Sequence, residues 1–462
     1  MYASQPERRP SLFQRTIRPE RMLALGFLCV ILVGAVLLSL PIATINHRSV
    51  GFHNALFTST SAVCVTGLIT VDTADTYATF GRLIIITLIQ IGGLGFMVFA
   101  TLVMVALGKR ISLRNRVLIR ESMNMNNLSG MVRLTKWFSM LAAIIELSGM
   151  CLLATRFIPI LGVRKGLWYS LFHAISAFCN AGFDLFGGYR SLLQFQHDPV
   201  VLLTIASLII CGGLGFSVIN DTLHNRFRFH RLMLHTKLVL TITLALLAAG
   251  TLLILALEWD NPATLGNPDL NFGEKLLNAF FQSTTLRTAG FASLDQARLT
   301  DSSKLVSVFL MFIGASPAST GGGVKTTTMS VVFLLMLSVV RGSDKVGAFG
   351  KQLPSDTIKR ALTIVGISLG IVLVCTSALS ISERATGVDM LDLMFEATSA
   401  FGTVGLSAVG TPNLNQFSQA LLIPIMYFGR VGPLTLAFAL ANRMENNPKN
   451  RIHYPEDKIM IG

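Results

Sequence analysis

Four segments of this sequence follow one pattern in register. They are Phe57-Thr-Ser-Thr-Ser-Ala-Val-Cys-Val-Thr-Gly67, Phe172-His-Ala-Ile-Ser-Ala-Phe-Cys-Asn-Ala-Gly182, Phe280-Phe-Gln-Ser-Thr-Thr-Leu-Arg-Thr-Ala-Gly290 and Phe395-Glu-Ala-Thr-Ser-Ala-Phe-Gly-Thr-Val-Gly405. Each opens on Phe, carries Ser or Thr four residues on and closes on Gly ten residues on, and the glycines are 115, 108 and 115 residues apart. Chance does not readily produce four such matches, and self-similarity at a fixed period constrains architecture before any local pattern does. An apolar helix precedes each segment, at 22–43, 137–158, 238–257 and 361–381, and another follows, at about 80–107, 199–219, 304–340 and 417–441. The expected fold is an all-α integral membrane protein: four consecutive helix–pore loop–helix units with pseudo-fourfold symmetry around one central pore.

The units divide the chain as follows. An N-terminal arm covers 1–21 and unit 1 covers 22–107; unit 2, with its preceding linker, covers 108–222. Unit 3 covers 223–340, unit 4 covers 341–441, and a tail covers 442–462. Only 13% of residues are charged and mean hydropathy is +0.61, against about 25% charged in a soluble domain. The run Met22 to Ala43 meets the roughly 20 residues a span requires. It lacks a small-residue cleavage site, so it is expected to be a retained span. The pore segments hold only about nine helix-like residues, too few to cross. They must dip in and return, and irregular backbone at membrane depth is tolerated only where it is buried in protein or lines a watery cavity. The six cysteines lie in or beside apolar segments with no CxxC pair, which suggests neither a disulfide framework nor a zinc site.

A net charge of +14 could mark a nucleic-acid binder, but its distribution argues against that. The arm, the 108–136 linker, residues 223–237, residues 341–360 and the tail together hold 25 of the 38 Lys and Arg. Asp72, Asp75, Glu258, Asp260, Asp269, Asp295, Asp301, Asp389 and Asp392 fall on the other side. Under the positive-inside rule both termini and all inter-unit linkers are cytoplasmic, as two-span units in one orientation require.

A dehydrating cation needs oxygens in place of its water, and backbone carbonyls supply them without a buried formal charge. Glycine reaches the left-handed conformations that turn successive carbonyls toward one axis. The ion-binding residues expected on this reasoning are Val65, Thr66 and Gly67; Asn180, Ala181 and Gly182; Thr288, Ala289 and Gly290; and Thr403, Val404 and Gly405. One such glycine alone would more naturally be a helix–helix contact; four in register argue for a filter. For the Gly92-Gly-Leu-Gly95 and Gly212-Gly-Leu-Gly215 motifs of the second helices, close packing is the expected role. Arg287 would repel a permeating ion, so its side chain is expected to point away and pair with an acid. His173 and Glu396 read as pore-helix structure or vestibule field rather than ligands.

The third unit breaks its second helix at Gly314-Ala315-Ser316-Pro317-Ala318-Ser319-Thr320-Gly321-Gly322-Gly323-Val324-Lys325. Three glycines and a proline do not form an ordinary helix interior. An unwound loop facing the cavity just below the filter is expected. A phosphate-binding loop does not fit, because Val324 separates the glycines from Lys325 and no strand precedes them. Arg430 lies mid-helix in the fourth unit, where an Arg costs about 2.5–3.5 kcal/mol. The carbonyls freed by the loop are its nearest compensation. It reads equally as a structural hydrogen-bond clamp and as a cationic barrier to permeation.

Over about 22–441 these features resemble the Trk/Ktr/HKT superfamily of potassium transporters. The residues that carry the resemblance are the four Gly-terminated loops, the Gly-rich interruption and Arg430. The first unit starts at once, so the chain looks most like a Ktr-type membrane subunit. The resemblance implies that Gly67, Gly182, Gly290 and Gly405 are filter glycines, that 314–325 is an intramembrane gate loop and that Arg430 is the family's pore arginine. It also implies potassium as the permeating ion, with sodium as a candidate activator. It implies a homodimer and a cytoplasmic Rossmann-type regulatory ring of the RCK (KtrA-like) kind that binds nucleotide. A potassium path driven by the membrane potential is the first functional reading, and a sodium- or proton-coupled cation symporter of the same fold is the alternative. Inverted repeats would favour a symporter, but all four units share one orientation. No nucleophile–base set or ATPase motif suggests an enzyme.

Overall fold

The computed structural model describes residues 19–95, 131–343, 345–433 and 435. The expectations for 1–18, 96–130 and 436–462, including most of the N-terminal arm, the 108–136 linker and the tail, lie outside the described residues. Among the described residues four single helices are long and apolar enough to cross a bilayer, and they are the first helices of the four units. They are α1 (Pro19–Ser39), α4 (Met131–Leu161), α8 (Leu234–Glu258) and α12 (Ser355–Ser382). Each is followed by a pore helix of 13 to 16 residues: α2 (Phe52–Cys64), α5 (Val163–Phe178), α9 (Phe272–Thr285) and α13 (Met390–Gly402).

The second helices are shorter than the sequence suggested. They are α3 (Thr79–Leu94), α6 (Pro199–Leu214), α10 (Asp301–Phe312) and α14 (Gln416–Val431), with 16, 16, 12 and 16 residues. At 1.5 Å per residue the longest reaches about 24 Å, short of a hydrocarbon core of about 30 Å. The break expected only in the third unit therefore has counterparts in the others. Gly95, Gly215 and Gly432 close their helices at φ 89°, 89° and 91° with extended ψ. In unit 2 the chain resumes as α7 (Phe216–His224), bent by 93° from α6. In unit 3 it resumes as α11 (Thr326–Val340) after the loop. An L side chain at those φ values is strained, so glycine is the residue that allows an abrupt end.

One non-helical element was not foreseen. A two-residue hairpin, β1 (Gly347–Ala348) and β2 (Lys351–Gln352), folds the start of unit 4 ahead of α12.

Packing runs from unit to unit in a closed order. Each first helix packs on its own pore helix, and each second helix also packs on the next unit's pore helix: α3 on α5, α6 on α9, α10 on α13, and α14 back on α2. The glycines make these approaches possible. A methyl added at Gly92, Gly212 or Gly429 would collide with the carbonyl of Val63, Phe178 or Phe401, each four residues before its pore-loop glycine. Close packing, the role expected for the glycine motifs, is what they provide.

Candidate functional site

The four pore loops share one backbone conformation. Two residues before each loop glycine stands a non-glycine residue in the left-handed region: Val65 (φ 58°), Asn180 (59°), Thr288 (67°) and Thr403 (52°). Three of them are β-branched, for which this conformation costs about 1–3 kcal/mol each. The same left-handed turn follows the pore helix at the same place in all four units. The glycines follow at φ 92°, 71°, 79° and 94°.

The loops meet in cyclic order. A methyl placed on Gly67 would lie 2.5 Å from the Ala181 carbonyl, one on Gly182 2.8 Å from Ala289 O, and one on Gly290 2.5 Å from Val404 O. One on Gly405 would collide with Thr66 O, which returns the circuit to the first unit. The residues between the strained position and the glycine (Thr66, Ala181, Ala289 and Val404) are fully buried. Pore-helix hydroxyls brace each loop from behind. Ser61 and Ser399 Oγ accept from the Gly67 and Gly405 N–H groups, each at 3.0 Å. Ser176 Oγ and Thr285 Oγ1 donate to Phe183 O and Phe291 O at 2.8 and 2.7 Å.

Unit 3 corrects the sequence alignment. Ser283 Oγ donates to Leu247 O just as Ser59 Oγ donates to Ile31 O. A methyl on Gly250 would press on Ser283 as one on Gly34 would press on Ser59. The counterpart of Phe57 is therefore Phe281, fully buried, and not Phe280. The third loop has one residue fewer between its bracing hydroxyl and its glycine. Its Ala289 N–H returns four residues to Thr285 O, whereas Thr66, Ala181 and Val404 return five.

On one side of the loops a cavity of about 170 Å³ is lined by all four loop glycines together with Asp184 and Asp295. Burial raises the Asp184 carboxyl to about 7, partly opposed by the Phe186 N–H that it accepts, and Asp72 and Asp75 add to the rise. On the other side lies the unwound stretch of unit 3. Ile313 and Val324 pair across its neck, and its backbone is tied to two second helices. Ser316 and Thr320 N–H donate to Gly213 O and Gly212 O at 3.1 and 3.2 Å, and Gly323 N–H donates to Gly429 O at 3.2 Å. Gly322 N–H reaches the Thr403 hydroxyl at 3.1 Å. A methyl on Gly321 would press on the Thr288 hydroxyl. The stretch thus lies directly against the strained residues of loops 3 and 4.

Two cations hold it. Arg430 donates from Nη1 to Thr320 O, and from Nη2 to Gly92 O and, at 3.3 Å, Gly93 O. Lys325 Nζ donates to Gly321 O at 2.7 Å. The freed loop carbonyls do serve Arg430, as expected. The carbonyls at the end of α3 were not foreseen: they become available because α3 stops there. Arg430 therefore links unit 1 to the unit 3 stretch.

The other singled-out polar residues behave differently. His173 is fully buried, its Nδ1 2.7 Å from Tyr169 O and its Nε2 3.4 Å from Leu185 N. Glu396 accepts from Ser407 and Thr411 hydroxyls at 2.6 Å each, joining α13 to the loop that follows it. Both are structural. The Arg287 side chain lies against α8 and pairs with no acid among the described residues. Its partner is Thr243 Oγ1 at 3.4 Å, and its Nε has none. The Asn180 amide lies 3.2 Å from the Thr288 hydroxyl, joining loops 2 and 3.

The comparisons with known proteins decide the family. Residues 27–451 match the TrkH model, described as a cation transport protein. The chain belongs to this family. It is a multi-pass membrane protein of the Trk/Ktr/HKT potassium transporter superfamily, an ion transporter and not an enzyme. Among its relatives is the Ktr system potassium uptake protein B of Bacillus subtilis, 43% identical over 96% of this chain and 97% of the relative. Another is the potassium/sodium uptake protein NtpJ of Enterococcus hirae, 40% identical over 97% of this chain and 98% of the relative. The crystal structure of the potassium transporter TrkH from Vibrio parahaemolyticus has a similar fold, with a TM-score of 0.71 at 18% identity over 94% of this chain and 87% of that one. Membership of the TrkH family and the all-α multi-span fold make cation transport the function of this chain.

Proposed function

We propose that the four loops form a pseudo-fourfold selectivity filter for potassium, and that 314–325 with Arg430 is the gate beneath it. The observation that carries this reading is the cyclic approach of Gly67, Gly182, Gly290 and Gly405, each to the carbonyl before the next. Four strands in one conformation around an axis present stacked carbonyl rings, the arrangement that replaces an ion's hydration shell. The chain is then a passive, gated path down the membrane potential. Both termini are cytoplasmic on the charge distribution, and two copies assemble with a nucleotide-binding Rossmann-type ring on that face. A coupled symporter is the second reading, favoured by one observation: the Enterococcus hirae relative is named for both potassium and sodium. On the first reading sodium is an activator and not a coupled substrate.

Gly67 offers the selective test. Its side-chain hydrogen faces the Ala181 carbonyl of the next loop, so a serine there displaces that carbonyl. Gly67→Ser is expected to narrow the preference for rubidium over sodium by about tenfold, roughly 1.4 kcal/mol of discrimination. The measurement is paired rubidium and sodium uptake. An unchanged ratio in folded protein contradicts the filter assignment.

A further inference from the structure

The buried positions of the four first helices superimpose as 34/35/38, 153/154/157, 250/251/254 and 375/376/379. Seven residues before the first member of each set stand Phe27, Glu146, Thr243 and Ser368. Thr243 reaches across to Arg287, three residues before its loop glycine. In unit 2 the same place is taken by Cys179. Glu146 is linked to it through Gln90, whose Nε2 donates to both carboxylate oxygens at 3.0 and 3.3 Å and whose Oε1 lies 3.4 Å from Cys179 Sγ. Glu146 and Arg287 are only 6% and 8% exposed. The contact between first helix and pore loop therefore carries an acid on the helix in unit 2 and a base on the loop in unit 3, and neither has an ion-pair partner among the described residues. Intramembrane charges without a counter-charge are costly, and as a rule they are functional.

We propose that Glu146 and Arg287 tune the cation affinity of the filter's inner end in opposite directions, the acid raising it through loop 2 and the base lowering it through loop 3. The proposal rests on the reading of the four loops as the ion path. Neither side chain touches the ion. Each acts as a positioning residue through the field at the carbonyls of Asn180 or Thr288, in a medium where a charge is far less screened than in water. A filter must bind its ion well enough to admit it and weakly enough to release it, and opposed charges set that balance.

The test is rubidium uptake in proteoliposomes, with half-saturation and maximal rate read separately. Glu146→Gln is expected to raise the half-saturation concentration and Arg287→Gln to lower it, each by about three- to tenfold. The double variant should return near the unaltered value, and Glu146→Asp and Arg287→Lys should stay close to it. Thr243→Glu supplies Arg287 with the acid it lacks, so it should lower half-saturation even if Arg287→Gln does not fold. Singles that shift together, or half-saturation that stays fixed while only the maximal rate falls, overturn the proposal and leave the two residues structural. Gly67→Ser in the same assay separates the two failures. If it alters selectivity while the charge variants do nothing, the filter stands and this inference falls; if it too does nothing, the filter reading itself fails.

Discussion

Deleting Ser319 to Gly323 raises basal rubidium uptake per folded protein, by at least about tenfold if the closed loop is the principal barrier. Arg430→Ala acts in the same direction. The loop is held in place by Arg430 on Thr320 O, by Lys325 on Gly321 O, and by its own N–H groups on Gly212, Gly213 and Gly429. A hydrogen bond to a charged group contributes about 1.5–3 kcal/mol, so losing the Arg430 contacts is enough to shift a two-state loop by tenfold or more. The deletion removes Thr320 to Gly323, through which most of these ties run. Opening then needs only a local order change, which a cytoplasmic partner can bias through α11. Uptake measured with and without the regulatory ring should also lose most of its dependence on it. A deletion that folds normally but lowers uptake, or keeps full partner dependence, makes the stretch a scaffold and places the gate elsewhere.

Gly405→Ala is expected to reduce uptake by roughly a hundredfold, equivalent to about 2.7 kcal/mol. At φ 94° an alanine is strained, and its methyl would collide with Thr66 O and lie 2.9 Å from the Gly67 Cα. Neither obstacle can give, because both are backbone of the adjoining loop and that loop is braced by Ser61. The circuit of loops must open at that point. Gly370→Ala is the control. A methyl there meets nothing within 4 Å on an exposed face of α12, and helix propensity favours it by about 1 kcal/mol. Thermal stability should hold or rise for Gly370→Ala with uptake intact. If Gly405→Ala conducts normally, the loops do not approach as closely as the geometry requires.

The parts of this structure that were legible in the sequence are those enforced by repetition or by unusual residue types. Four glycines at even spacing, three more glycines beside a proline, and an arginine inside an apolar helix each have few physical explanations. Their placement followed from membrane depth and hydrogen-bond supply. The early ends of α3, α6 and α14 were less legible because their glycine motifs are also ordinary packing motifs. A Gly-Gly pair against a pore-helix carbonyl and a Gly that ends a helix look alike without φ. The one-residue offset in unit 3 was hidden because Phe280 and Phe281 are adjacent and both fit the pattern; the contacts of Ser283 to Leu247 and Gly250 separate them. The acid expected for Arg287 was wrong for a related reason. Its position equals that of Cys179, and the charge that might have answered it, Glu146, sits one unit away behind a different strand.

The most direct test of the whole account is uptake by the purified chain in proteoliposomes under an inside-negative potential. Sodium is equal on both sides and no proton gradient is imposed. The account predicts saturable potassium and rubidium entry that follows the potential, with sodium and lithium entering more slowly. Preferred entry of sodium, or potassium entry that appears only when a sodium or proton gradient is supplied, would contradict it.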